Sequence, residues 1–267
     1  MIPAAVADAA GVTLAQAGPA IIRDTARLPG RIVLNRNRYA AIKAPFAGPV
    51  LAVSVASGDR VRRGQVLATI ENRESLVSYP VLAPMDGVVL ARHTNVGDVT
   101  GETPIFEMAD LSSVWLEVHA FSGEAARLQV GQPVRVQGVP GQVGLQARLT
   151  SLLPVASAVS QSVVARAELP NPDGLLRPGM SVTAEVELDQ REVPLAVNEA
   201  GLQRFRDFTV VFARFGDTYE VRMLELGERD GEWVEVLGGI DPGTPYVVEQ
   251  SFLIKADVEK SGASHDH

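Results

Sequence analysis

The strongest constraint on this chain is a half-motif written twice. "AAIKAPFAGPVLAVSVASGDRVRRGQVLATI" covers 40–70, and "APMDGVVLARHTNVGDVTGETPIF" covers 83–106. A shift of 39 positions superposes Ala44, Pro45, Gly48, Val50, Leu51, Ala52, Gly58 and Asp59 on Ala83, Pro84, Gly87, Val89, Leu90, Ala91, Gly97 and Asp98. Each copy opens on Ala-Pro, runs into a strand after a glycine, turns at Gly-Asp and enters a second strand. Pro fixes φ ahead of the strand, and Gly supplies the positive φ that a Gly-Asp hairpin needs. Neither half holds enough apolar residues to form its own core. The two are therefore expected to interlock about a pseudo-twofold axis.

The remainder reads as short Val-rich strands punctuated by Gly, Pro and Asp. Val114, Leu116, Val118 and Ala120 alternate with Trp115, Glu117, His119 and Phe121. Val182, Ala184, Val186 and Leu188 alternate with Thr183, Glu185, Glu187 and Asp189. Both are half-buried strands of period two. Turn signals stand at 131–133, 171–174, 177–180, 229–232 and 241–245. Helix is expected only in short pieces: 122–131, capped by Ser122 and stopped by Gly131, a piece from Asn198, and 251–260. Trp115 and Trp233 fall in strand-like segments, where packing is the default role.

The composition excludes several functions. With 46% hydrophobic residues in 267, two or three small domains with real cores are possible. The net charge is −8 and the 24 basic residues are dispersed, so nucleic acid is not a partner. No apolar run approaches the ~20 residues of a membrane span. Met1-Ile2-Pro3 leads into Ala-rich sequence without a basic segment, as expected of a mature or recombinant form from which an export signal is absent. The absence of cysteine removes disulfides and thiolate metal sites. No nucleophile elbow, zincin motif, P-loop or dinucleotide fingerprint is present, so the chain reads as non-catalytic.

A flattened barrel of two interlocked halves resembles the biotinyl/lipoyl domain. Carriers with that fold present a modified Lys at the turn between the halves. Here the junction is "ENRESLVSYP", 71–80, and the chain's three lysines are Lys43, Lys255 and Lys260. The carrier reading fails, and no covalently bound cofactor is expected.

The fold also occurs in efflux-pump adaptors, and further segments carry that resemblance. "ADLSSVWLEVHAFSGEAARLQVGQPVRV" (109–136) looks like the entry to the adaptors' β-barrel domain, and "NPDGLLRPGMSVTAEVEL" (171–188) its closing strands. The segment from "VVFARFGDTYEV" (210–221) to the end resembles the membrane-proximal domain of the heavy-metal (cobalt–zinc–cadmium type) branch, and "DAAGVTLAQAGP" (8–19) is a looser match to its start. The chain thus resembles a periplasmic adaptor subunit, or membrane fusion protein, of a resistance–nodulation–division efflux pump. The implied fold is mostly β with minor short helices. It comprises a lipoyl-like domain at 41–110, a β-barrel domain from 31–40 plus 111–189, and a β-rich membrane-proximal domain from 1–30 plus 190–260. A flexible His-containing tail at 261–267 follows.

Typical adaptors carry a long helical hairpin between the lipoyl halves, which needs roughly forty residues for two helices of ~30 Å. The ten residues of 71–80 reach at most ~36 Å when extended. The hairpin is absent. The resemblance implies an inner-membrane proton-driven pump and an outer-membrane channel as partners, a six-membered ring of copies, and a periplasmic location at the inner membrane. The exported cargo would be a divalent, zinc-like metal ion. A periplasmic metal buffer or metallochaperone is the alternative. Arg60, Arg62, Arg63, Arg73 and Glu74 are the candidate contacts at the far end of the lipoyl domain. For weak metal binding the candidates are Glu117 with His119, two apart on one strand face, and His265 with His267 in the tail.

Overall fold

The two copies of the repeat form two small sheets that close on each other. In the computed structural model, which describes residues 11–139, 144–154 and 162–256, one sheet orders the strands Tyr39–Ile42, Phe106–Ala109, Gly87–Arg92 and Arg60–Val61. The other orders Val50–Val53, Val66–Glu71 and Ser78–Leu82. Between them lie Ile42, Val50, Leu67, Ile70, Val81, Val89, Phe106 and Met108, all buried. Each copy lends its turn to the other. The Gly58 amide donates to the Val89 carbonyl at 2.8 Å, and the Gly97 amide donates to the Val50 carbonyl at 2.9 Å. The return bonds match, Val89 to Asp59 at 2.9 Å and Val50 to Asp98 at 2.8 Å. Asp59 accepts from the Ala56 amide and Asp98 from the Asn95 amide, fixing both turns in the same way. This reciprocity is why the motif is present twice: each half completes the hydrogen bonding of its twin.

The second barrel follows directly. Ser113–Ala120 pairs on one side with Val163–Pro170 and on the other with residues 30–34 of the strand Gly18–Leu34. Pro133–Gln137 pairs with Leu145–Leu152 and with residues 183–186 of the strand Ser181–Asn198, which closes the structure. Val114, Leu116, Val118 and Ala120 are all fully buried, and Trp115, Glu117 and His119 are half-buried on the outer face. The period-two pattern reads as a strand with one face in the core.

The chain divides into two compact units. One takes the residues 26–186, with both barrels; the other combines the residues up to 25 with those from 187 onward. In the latter, Thr13–Gln16 pairs with Pro245–Glu249, which joins the meander Gln203–Phe205, Phe208–Phe215 and Thr218–Met223. A hairpin of Glu225–Arg229 and Trp233–Gly238 pairs with residues 196–198. Val12, Val210, Phe212, Tyr219, Val247 and Ile254 form one core cluster of this unit.

The helices are shorter than their sequence signals. The piece expected over 122–131 is a single turn, Ser122–Ala125, with Phe121 rather than Ser122 at its N-cap. Its continuation is claimed by the barrel: the Gly131 amide donates to the Leu149 carbonyl and the Gln129 amide to the Gln132 side chain. The piece at Asn198 is a 3-10 turn, Glu199–Gly201, capped by the Asn198 side chain. At Gly201 the backbone runs so close to Tyr246 and Val247 that an added Cβ would lie 2.8 Å from the Val247 carbonyl oxygen. Residues 251–256 are helical. No helix among the described residues is long and apolar enough to cross a membrane.

Candidate docking surfaces

The connection between the repeat halves forms one end of the first barrel. Glu71 pairs with Ser78 across a hairpin, so only residues 72–77 join the halves. Asn72 organises this loop: its side-chain oxygen accepts from the amides of Glu74 and Ser75, and its carbonyl accepts from the Leu76 amide. Leu76 is thereby held at φ +58°, a conformation that costs a β-carbon-bearing residue ~1–2 kcal/mol. Its side chain is 72% exposed, so no packing compensates that cost.

Other apolar side chains surround it. The Arg73 amide donates to Ala47, the Tyr79 hydroxyl donates to the Phe46 carbonyl, and Pro49 bridges to Val99. Segments 46–49, 72–79 and 96–100 therefore share one end of the barrel. Phe46, Leu76, Val77, Val96 and Val99 are all more than half exposed there, and Phe46 stands edge-on against Tyr79 at 5.7 Å. Concentrated exposed apolar surface of this kind makes the tip a candidate interaction site. The sequence reading missed these residues because single Val and Phe side chains in a β sequence look like core.

Of the charged candidates, Arg73 and Glu74 belong to this tip and are exposed. Arg60, Arg62 and Arg63 do not join them, which corrects the grouping drawn from sequence. Arg60 pairs with Val88, itself opposite Ala109, where the chain leaves for the second barrel. The Arg63 amide donates to Asp86 at 2.7 Å. The strand Val66–Glu71 separates the two groups, about 17 Å at ~3.3 Å per residue.

The exit toward the second barrel is clamped. Arg38 donates to Asp110 at 2.6 Å and to the Ser112 hydroxyl at 3.0 Å, and the Asp110 carboxylate accepts from the Ser112 amide. Burial pushes the Asp110 pKa up, but the bonds from Ser112 and Arg38 outweigh it and hold the group below its ordinary value. Nearby, hydrogen bonds from Tyr39 and then His93 hold Glu107 low; His93 Nε2 lies 3.0 Å from its oxygen.

The metal candidates have other engagements. Glu117 is bonded to Arg166 at 2.6 Å, and Arg166 lies over the Trp115 ring at 4.1 Å. His119 Nδ1 lies 3.0 Å from the Ser162 hydroxyl. Glu117 and His119 share a strand face as expected, but the carboxylate is given to a guanidinium. No group of three or more His, Asp or Glu side chains is placed to hold a metal ion among the described residues. His265 and His267 lie outside the described residues.

Three family models match consecutive segments: a CzcB-like barrel-sandwich hybrid domain at 38–110, a CusB-like β-barrel domain at 113–190, and a CzcB C-terminal circularly permuted SH3-like domain at 195–255. The cobalt-zinc-cadmium resistance protein CzcB of Cupriavidus metallidurans is 24% identical over 96% of this chain and 63% of its own length. The nickel and cobalt resistance protein CnrB of the same organism is 24% identical over 80% of this chain and 55% of its own. The chain thus spans less than two thirds of the length of these curated relatives. The CzcB alignment runs over 328 positions against 267 residues here, so that relative has segments with no counterpart in this chain. Among solved structures, ZneB from C. metallidurans is similar with a TM-score of 0.54 and 19% identity, covering 91% of this chain and 94% of that one. MacA from Actinobacillus actinomycetemcomitans gives 0.58 and 17%, covering 87% and 99%. These two support the fold. With the three domain models in order over 38–255, the chain is built from CzcB-like and CusB-like domains in succession, the domain set of membrane fusion proteins of the heavy-metal branch.

Proposed function

We propose that this chain is the periplasmic adaptor of a metal-efflux pump, linking a proton-driven inner-membrane transporter to an outer-membrane channel. The cargo in this reading is a divalent ion of the zinc, cobalt, cadmium or nickel kind. The observation that carries the reading is the order of the three domain matches. Relatives named for cobalt, zinc, cadmium and nickel resistance support the choice of cargo. The repeat barrel would face the channel through its apolar tip of Phe46, Leu76, Val77, Val96 and Val99, a task that a helical hairpin performs in longer adaptors. Copies of the chain would form a ring, six in number, around the conduit. The tail residues His265 and His267 would hold an ion weakly, since two ligands ordered on a metal cost conformational entropy.

The test is a sensitivity panel in a host deleted for the gene and complemented with it. Zinc, cobalt, cadmium, nickel, copper, silver and several organic drugs would be compared. Restored tolerance confined to the zinc-like ions is expected. Tolerance restored only to drugs, or a purified chain that binds zinc tightly as a monomer and never associates with a transporter, would overturn the reading; the second result would favour a metal buffer.

A further inference from the structure

The outer face of the second barrel carries a cleft of about 350 Å³ lined by Arg31, Val33, Leu34, Arg36, Trp115, Glu117, Arg166, Pro178 and Gly179. Its floor is the strand end 31–34. One wall is Trp115 with Arg166 layered on its ring. The other wall is Pro178–Gly179, held in place by the Gly179 amide donating to the Ile32 carbonyl at 2.7 Å.

The lining is rich in arginine. Cross-strand register places Glu117 between Arg31 on one side and Arg166 on the other. Glu117 is bonded to Arg166, whose Nε is buried without a hydrogen-bond partner. The Arg31 side chain is exposed and has no ion pair or hydrogen bond among the described residues. Arg36 rests on the Tyr39 ring at 5.0 Å. Just outside the lining, Glu168, opposite Trp115 in the strand register, accepts from Asn35, and Glu107 accepts from Tyr39 and His93 and also feels the charge of Arg36. Within the lining itself, three guanidiniums stand with one carboxylate beside an apolar strip. Arg31 and Arg36 stand at the mouth; Val33, Leu34, Trp115 and Pro178 supply the greasy surface.

We infer that this cleft is a binding site for an organic carboxylate with a small apolar or aromatic body. A guanidinium matches a carboxylate fork to fork, and a strip of aliphatic and indole surface takes the body of the ligand. The volume suits a body of about one ring. The chemistry is shared by a free organic acid and by an acidic side chain of another polypeptide. This site is independent of the adaptor reading, since it rests only on the barrel's own residues.

Trp115 reports on occupancy. In a Trp233→Phe background it is the sole tryptophan, and its fluorescence is followed at constant ionic strength during titration with benzoate, with benzamide, and with N-acetyl-glutamate amide. A saturable change with benzoate, at least about tenfold weaker with uncharged benzamide, is expected, as is a loss of about tenfold or more in Arg31→Ala and in Arg36→Ala. These two arginines are exposed, so their removal leaves the fold intact, which the unfolding midpoint verifies. Stronger binding of the glutamate derivative than of benzoate would identify an acidic side chain as the occupant; the reverse would identify a free acid. Saturation by neither, equal binding of benzamide, or unchanged affinity in Arg31→Ala overturns the site.

Discussion

Gly48 lies so close to Glu71 that a β-carbon on it would sit 1.7 Å from the Glu71 carbonyl oxygen. Gly87, its counterpart in the second copy, stands in the same relation to the Ala109 carbonyl oxygen, at 2.5 Å. Neither glycine has an unusual φ; both are needed because two backbones touch. Gly48→Ala is expected to cost about 4 kcal/mol or more, or to prevent folding of the repeat barrel, because backbone cannot step aside as a side chain can. Gly58→Ala, with open space around it but a φ of +97°, should cost less. Urea denaturation of the three proteins checks the order; a mild Gly48→Ala would refute the contact.

The tip carries the opposite kind of prediction. Leu76→Asn relieves a left-handed backbone at an exposed position and should raise stability by about 1 kcal/mol. In the complemented host the same variant should lower metal tolerance, since the apolar side chain is lost from the tip. Thermal unfolding and the tolerance assay together distinguish a residue kept for docking from one that is merely tolerated.

At the Arg31–Glu117–Arg166 ladder the two arginines should differ. Arg166→Met strands a half-buried Glu117 and uncovers Trp115, for a loss of about 2 kcal/mol. Arg31→Met breaks no contact and should change stability by under about 0.5 kcal/mol. Equal losses in denaturant melts would mean that Glu117 is shared between the two arginines.

Acid should loosen the unit built from both chain ends. Burial pushes Asp230 up, but amide donors from Trp233, Glu232 and Arg23 bring it below its ordinary 3.8. Arg191, foremost, and the Glu228 amide hold Glu235 below 4.5. A carboxylate with a depressed folded-state pKa contributes stability that is full above its unfolded-state value and vanishes as pH falls through the folded one. The unfolding midpoint should therefore be insensitive to these two groups between pH 7 and about 5.5 and should fall below about pH 4.5. Asp230→Asn, which sets an amide against the Arg23 N–H, should be about 1 kcal/mol less stable at pH 7. The gap should close at low pH.

The tail prediction is separate from the fold. Removal of residues 265–267 should weaken zinc binding measured by calorimetry and leave the melting profile unchanged. Retention of the same affinity would point to ligands elsewhere in the chain.

The repeat, the period-two segment Val114 to Ala120 and the Gly-Pro turns made a β protein with interlocked halves legible from the residues, because alternation and turn chemistry act over a few positions. The helix limits were not legible. Ser122 looked like a cap and 122–131 like two turns, but the Gly131 and Gln129 amides that the helix would have used donate to the Leu149 carbonyl and the Gln132 side chain. The metal pair Glu117 and His119 was read correctly as sharing one face and incompletely as to company. Arg166 and Ser162 stand 49 and 43 positions away.

The sequence by itself thus determined the secondary structure class, the doubling of the first barrel and the short junction within 71–80, since each is set by neighbouring residues or by recurrence; the pairing of Glu71 with Ser78 narrowed that junction to 72–77. Only the tertiary structure decided which charges meet. It sent Arg60, Arg62 and Arg63 to one end of the repeat barrel and Arg73 and Glu74 to the other. It also gathered Phe46, Leu76 and Val99 at a single tip and set Arg31 and Arg166 on either side of Glu117. Strand register makes these choices, and register depends on long-range pairing between segments whose separation in the chain carries no local signal.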